Sequence, residues 1–87
     1  MKPILKVFIT EHCPGCSEAL DIATRVEQDY PEVTVEIIDI GNTQAIVPDA
    51  VFATPTFMLD NRIVSLGTPH PEEIARCVEE AIAHLTP

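Results

Sequence analysis

Two β-branched runs separated by a helical pattern narrow the folds open to this sequence more than any other feature. The run ILKVFIT, residues 4–10, is almost continuously apolar, which is typical of a central strand covered on both faces. VTVEIID, residues 33–39, predicts a second strand, and residues 14–29 carry apolar side chains at helical spacing. A strand, a helix and a strand in this order form a right-handed crossover, so the two strands should be parallel.

The second half of the sequence predicts a hairpin and a terminal helix. TFMLD and RIVSL flank the turn-prone pair Asp60 and Asn61, so these runs should form antiparallel strands. From Pro71 to the end of the chain, apolar residues on one face predict an amphipathic helix. Between the two halves, Thr43 is placed to cap a short helix that ends before Pro48.

These elements predict an α/β fold of the order β-α-β-(α)-β-β-α. We expect a four-stranded mixed sheet with helices on both faces. A chain of 87 residues has room for one core, so residues 1–87 should form a single domain. Ligands of such folds bind beyond the carboxyl ends of the parallel strands.

Charge and composition argue against several classes of partner. Fourteen acidic and five basic residues give a formal net charge of −9, which would repel nucleic acid and anionic membranes. The N-terminal segment lacks the basic region and long apolar run of a signal peptide. Three cysteines do not suit a secreted disulfide scaffold and fit a reducing compartment. We therefore expect a cytoplasmic monomer that binds neither nucleic acid nor membrane.

The motif CPGC, residues 13–16, places two cysteines where a helix should begin. The free N–H groups and the helix dipole at that point favour a thiolate on Cys13, which we predict to be the nucleophile. Cys16 lies one turn later on the same side and should be the resolving thiol. Pro14 would stiffen the loop, and Gly15 would leave room above the sulfurs.

Two other interpretations of the cysteine pair remain open. Zinc is usually held by about four ligands, and Cys13, Cys16 and the adjacent His12 supply three, so we expect no metal. A purely structural disulfide would close too short a loop to stabilise the fold much. The position between a strand and a helix favours a redox dithiol. Cys77, on the apolar face of the last helix, should fill the core.

CPGC at the start of a helix, and ATPTF at the start of a later strand, together resemble the thioredoxin and glutaredoxin superfamily. The resemblance covers essentially the whole chain, which is similar in size to a glutaredoxin. It implies the thioredoxin fold, a cis Thr54-Pro55 peptide bond facing the dithiol, and no cofactor. It also implies that substrate binds at Thr54, Pro55, His12, Pro14 and Gly15.

The chain departs from both branches of this superfamily. Val7 stands where thioredoxins carry a buried acid, and His12 stands where they carry tryptophan. Lys6 is further from the dithiol than the glutathione-binding lysine of glutaredoxins, and Gly67 is single where they have a glycine pair. Protein disulfides are therefore favoured over glutathione as the substrate.

The resemblance implies a thiol-disulfide oxidoreductase in which Cys13 and Cys16 cycle between dithiol and disulfide. Its partners would be a disulfide-containing protein substrate and a reductase or thiol pool that supplies electrons. A glutathione-linked glutaredoxin, or an electron donor dedicated to one partner enzyme, is the first alternative. A non-catalytic redox sensor or binding module of the same fold is the second. Catalytic turnover separates the enzymes from the sensor.

Overall fold

The computed structural model describes residues 2–11, 13–42, 44–49, 51 and 53–84. Their helices and strands, in chain order, are β1 (Ile4–Ile9), α1 (Cys16–Asp29), β2 (Thr34–Asp39), β3 (Thr56–Leu59), β4 (Arg62–Leu66) and α2 (Pro71–Ala83). The four predicted strands and the two longer predicted helices are all present. Among the described residues, no helix is long and apolar enough to cross a bilayer.

The four strands form one mixed sheet in the order β2-β1-β3-β4. β1 is central and parallel to β2, as predicted, whereas β3 is antiparallel to both β1 and β4. Leu59 lies opposite Arg62, so Asp60 and Asn61 form the expected two-residue turn. The sequence pattern therefore predicted both the parallel pair and the hairpin.

One end of this sheet gathers three chain segments that are far apart in sequence. Phe8, near the end of β1, lies opposite Thr56 at the start of β3. Thr56 in turn lies opposite Leu66 at the end of β4. The loop after β1, the loop before β3 and the segment after β4 therefore meet at this end, which we call the β1 carboxyl end.

Both helices pack against the same face of the sheet. Their shared core includes Leu5 and Val7 of β1, which point to one face because strand side chains alternate. The remaining buried members are Ala19, Ile22, Ala23, Val26, Val33, Phe57, Leu59, Ile74 and Val78. The expectation of helices on both faces was therefore wrong for the described residues, because the apolar sides of α1 and α2 share a single core.

A loop covers the opposite face, where Phe8, Met58 and Val51 are buried together. The short helix expected before Pro48 is absent from residues 44–49, and its proposed cap, Thr43, lies outside the described residues. Asn42 explains the difference: its Oδ1 accepts the Gln44 N–H at 2.9 Å, and its carbonyl accepts the Ala45 N–H at 3.0 Å. An asparagine that takes backbone donors in this way favours a turn over a helix.

Candidate active site

Cys13 and Cys16 form a disulfide at the β1 carboxyl end, with their Cα atoms 5.3 Å apart. Cys16 is the first residue of α1, and Cys13 lies in the loop between β1 and that helix. Cys16 is 6% exposed, whereas Cys13 is only half-buried. The Cys13 residue is therefore more exposed than Cys16.

A tight turn brings the two cysteines together. The Cys16 N–H donates to the Cys13 carbonyl at 3.2 Å, and the Ala19 N–H donates to the Gly15 carbonyl at 3.1 Å. Gly15 is the N-cap residue, and no side chain caps the helix. Because residues 13–16 form this turn, α1 begins at Cys16 and not at Pro14 as predicted. Cys16 therefore lies in the first turn of α1 and Cys13 three residues before it, at the positive end of the helix dipole.

Gly15 is where the three segments of the β1 carboxyl end touch. The Thr68 hydroxyl donates to the Gly15 carbonyl at 3.3 Å. A Cβ added at residue 15 would lie 3.4 Å from Pro55 Cδ and would overlap Thr68 Oγ1. The absence of a side chain at Gly15 therefore lets the disulfide loop sit against the proline and the threonine.

The segment at Thr54 and Pro55 is fixed beside the disulfide loop. Their peptide bond is cis, as the resemblance implied, and Pro55 is buried while Thr54 is half-buried. The Gly67 N–H donates to the Pro55 carbonyl at 2.8 Å. The buried Thr56 hydroxyl donates to the Ala53 carbonyl at 2.6 Å. These bonds hold both sides of the Thr54-Pro55 peptide.

The other residues singled out in the sequence lie in varied positions. Pro14 is exposed in the turn, and His12 lies outside the described residues. Val7 is completely buried, so an apolar side chain occupies the position where thioredoxins carry an acid. Cys77 is half-buried against the core, as predicted. In the described part of the chain, no group of three or more His, Cys, Asp or Glu side chains could hold a metal ion.

Thr68 is the site residue that sequence reasoning missed. It lies 53 positions from the glycine whose carbonyl it binds. A lone threonine between Gly67 and Pro69 has no local pattern that marks it as part of a site. Only the pairing of β3 with β4 brings it to the disulfide loop.

Comparison with known proteins identifies the family. The thioredoxin domain family matches residues 4–79. A thioredoxin of Methanocaldococcus jannaschii is 24% identical over 80 residues, which span 90% of this chain and 94% of that protein. The matched range contains Cys13, Cys16, the Thr54-Pro55 segment and Thr68.

Solved structures show the same fold. Mitochondrial thioredoxin 3 of Saccharomyces cerevisiae, in its oxidized form, superposes with a TM-score of 0.75 at 21% identity, over 91% of this chain and 78% of that one. Thioredoxin of Fasciola hepatica gives 0.74 at 20% identity, over 92% and 81%. The expected thioredoxin fold is confirmed. With a disulfide-forming cysteine pair at the start of α1, this chain belongs to the thioredoxin family and is a thiol-disulfide oxidoreductase.

Proposed function

We propose that this chain reduces disulfide bonds of protein substrates, with Cys13 as the nucleophile and Cys16 as the resolving thiol. The observation that carries the proposal is the unequal exposure of the two cysteines at the start of α1. A substrate sulfur can approach the half-buried Cys13, whereas Cys16 is almost enclosed. The helix N-terminus supports a thiolate in this loop, and the thiolate is the reactive form of cysteine.

The proposed reaction has two exchange steps. The Cys13 thiolate attacks one sulfur of the substrate disulfide, so that a Cys13–substrate bond forms and the other substrate sulfur leaves as a thiolate. After losing its proton to solvent, Cys16 attacks the Cys13 sulfur and releases the second substrate thiol. Two electrons pass to the substrate, and the enzyme is left with the Cys13–Cys16 disulfide. Water takes the proton from Cys16 in this scheme because Val7 supplies no carboxylate.

The proposed docking surface is the Thr54-Pro55 segment together with Pro14 and Gly15. Its support is the nearness of Pro55 to residue 15, where an added Cβ would lie 3.4 Å from Pro55 Cδ, and the hydrogen-bonded backbone on both sides of the Thr54-Pro55 bond. An extended substrate segment could add its backbone groups to Thr54 as a strand adds to a sheet edge. The role of His12 as a neighbour that tunes access to Cys13 stays a prediction.

We further propose that the chain acts in the cytoplasm as a monomer of one domain, residues 1–87. Three cysteines and a CPGC motif suit a compartment that keeps thiols reduced. A reductase or a thiol pool would return electrons to the Cys13–Cys16 disulfide. The net charge of −9 disfavours nucleic acid and anionic lipid as partners.

Single cysteine substitutions test the assigned roles. With a dithiol reductant, the wild-type protein should reduce insulin disulfides, and Cys13→Ser should lower the rate by at least about a hundredfold because it removes the nucleophile. Cys16→Ser should accumulate a mixed disulfide between Cys13 and the substrate, visible by mass spectrometry under non-reducing conditions. Cys77→Ser is the matched control, since it removes a half-buried thiol outside the site. Wild-type rates from Cys13→Ser would exclude this mechanism.

A further inference from the structure

A groove of about 430 Å³ lies beside the disulfide loop, between α1 and the segment that leads from β4 into α2. We call it the α1 groove. Its α1 wall includes Glu18, Asp21 and Ile22, and its other wall includes Thr68 and Pro69. Its volume falls in the range of small-ligand sites, so it can hold a long side chain.

The lining of the α1 groove combines an apolar floor with an acidic rim. Ile22 is 8% exposed and Pro69 is buried, whereas the Glu18 and Asp21 side chains are exposed. The aliphatic stem of a lysine or arginine could lie along such a floor while its charged head stays in water beside the carboxylates. Arg25, one turn beyond Asp21, lines the far end and would repel a cation there. A bound cation is therefore directed towards Glu18, in the first turn of α1.

The α1 groove is continuous with the disulfide site. Thr68 forms part of its wall, and the same hydroxyl donates to the Gly15 carbonyl. Pro55, beside which we place the substrate segment, borders the space above Gly15, since a Cβ at residue 15 would lie 3.4 Å from its Cδ. A substrate whose disulfide reaches Cys13 would therefore have neighbouring side chains within reach of the groove.

Charge around the groove favours a cationic occupant. Glu11 follows β1, Asp39 ends β2, and Glu72 and Glu73 occupy the first turn of α2, and all four are exposed. They lie at the β1 carboxyl end, as do Glu18 and Asp21 in the first half of α1. Like charges in a substrate would be repelled there, and basic residues attracted.

We propose that the α1 groove binds a lysine or arginine side chain next to the substrate disulfide, so that Glu18 and Asp21 select basic substrate segments. The inference rests on the proposed reduction of protein disulfides and adds its substrate class. It assigns Glu18 and Asp21 to specificity and leaves the exchange chemistry to the two cysteines.

Two peptides of equal composition test the proposal. Each contains one internal disulfide; the first has lysine beside a cysteine and glutamate at a distant position, and the second has the two exchanged. Their equal net charge cancels long-range attraction. Wild type should show a kcat/KM about fivefold higher for the lysine-flanked peptide, as ion pairs with two exposed carboxylates would give. A third peptide with alanine at both positions reports the reduction reaction itself.

Two double variants test whether Glu18 and Asp21 cause the preference for the lysine-flanked peptide. Glu18→Gln/Asp21→Asn should reduce the preference to below twofold, and dividing each kcat/KM by that of the same protein for the alanine peptide removes any general effect of the substitutions on the reduction reaction. Glu27→Gln/Asp29→Asn removes the same two charges from α1 outside the groove and should keep the preference. Equal rates on both charged peptides in wild type, or an equal loss in the control, would overturn the inference while the proposed function stands. Failure to reduce any peptide would instead contradict the proposed function, and the inference with it.

Discussion

At the scale of single residues, the site depends on contacts between positions that are distant in sequence. The Gly15 carbonyl accepts a hydrogen bond from the Thr68 hydroxyl, and a Cβ at residue 15 would overlap Thr68 Oγ1 and touch Pro55. The Gly15 backbone has φ −95° and ψ −3°, which any residue can adopt. The need for glycine at this position therefore comes from packing and not from the backbone angles.

Gly15→Ala tests this packing argument through a double-mutant cycle with Thr68→Ala. In the presence of Thr68, the new methyl group should displace the threonine hydroxyl and break its bond to the Gly15 carbonyl. We expect Gly15→Ala to lower the unfolding free energy by about 1 kcal/mol more in the protein that keeps Thr68 than in the Thr68→Ala variant. Chemical denaturation of the four oxidised proteins measures this coupling. Additive effects, within about 0.3 kcal/mol, would show that the two residues do not interact.

At the scale of elements, a hydrogen bond between two side chains joins the end of α1 to α2. The Tyr30 hydroxyl, at the end of α1, donates to the Glu79 carboxylate of α2. This hydrogen bond raises the pKa of Tyr30 above its usual value, and burial and the negative charges of Glu79 and Asp29 add to the effect. The neutral tyrosine is thus favoured in the folded protein, and the pair helps to fix α2 beside the helix that carries Cys16.

The raised pKa of Tyr30 predicts how the stability of the protein changes at alkaline pH. Because folding raises the pKa of Tyr30, its contribution to stability is complete below the unfolded pKa of about 10 and is lost as pH rises through the folded pKa. Tyr30 is the only tyrosine in the sequence, so phenolate absorbance reports its titration directly. Wild type should titrate above pH 10, and Glu79→Gln should titrate at a lower pH than wild type.

The stability of wild type and of Tyr30→Phe, compared across pH, provides a second measurement. The difference in unfolding free energy between wild type and Tyr30→Phe should be largest near neutral pH, at about 0.5–1 kcal/mol for one exposed hydrogen bond. It should shrink above pH 10. Identical titration of Tyr30 in wild type and Glu79→Gln would mean that the hydrogen bond does not form in solution.

At the scale of the whole molecule, the acidic surface bears on the source of electrons. The net charge of −9 opposes the approach of glutathione, which is itself anionic. Lys6 is half-buried in the central strand β1, away from the loop that carries the disulfide. These features favour a thioredoxin-type reductase over the glutathione pool as the electron donor.

A comparison of two reducing systems tests this preference. NADPH with thioredoxin reductase should reduce the Cys13–Cys16 disulfide at least about tenfold faster than NADPH with glutathione and glutathione reductase, measured as NADPH consumption during insulin turnover. Faster reduction through glutathione would support the glutathione pool as the electron donor instead. Slow reduction by both systems would support a redox sensor that reports thiol state without catalytic turnover.

Local patterns in the sequence determined the strands, the two helices and the cysteine pair. β1 and β2 are short β-branched runs, α1 and α2 carry apolar side chains at helical spacing, and CPGC lies where a strand gives way to a helix. Each of these signals lies within one continuous segment, and those of the strands and helices depend on the periodicity of apolar side chains. The cis Thr54-Pro55 bond came from a family resemblance and not from such a pattern.

Only the tertiary structure decided which distant residues meet. Sheet pairing brings Thr68 to the Gly15 carbonyl and places it in the wall of the α1 groove. No local sequence pattern predicts the hydrogen bond or the groove. Similarly, α1 and α2 lie on one face of the sheet because they share a core. A loop lies on the other face, where the Asn42 turn replaces the expected short helix. Periodicity shows which side of an element is apolar, whereas the partner that covers that side is set by the competition among all elements for burial.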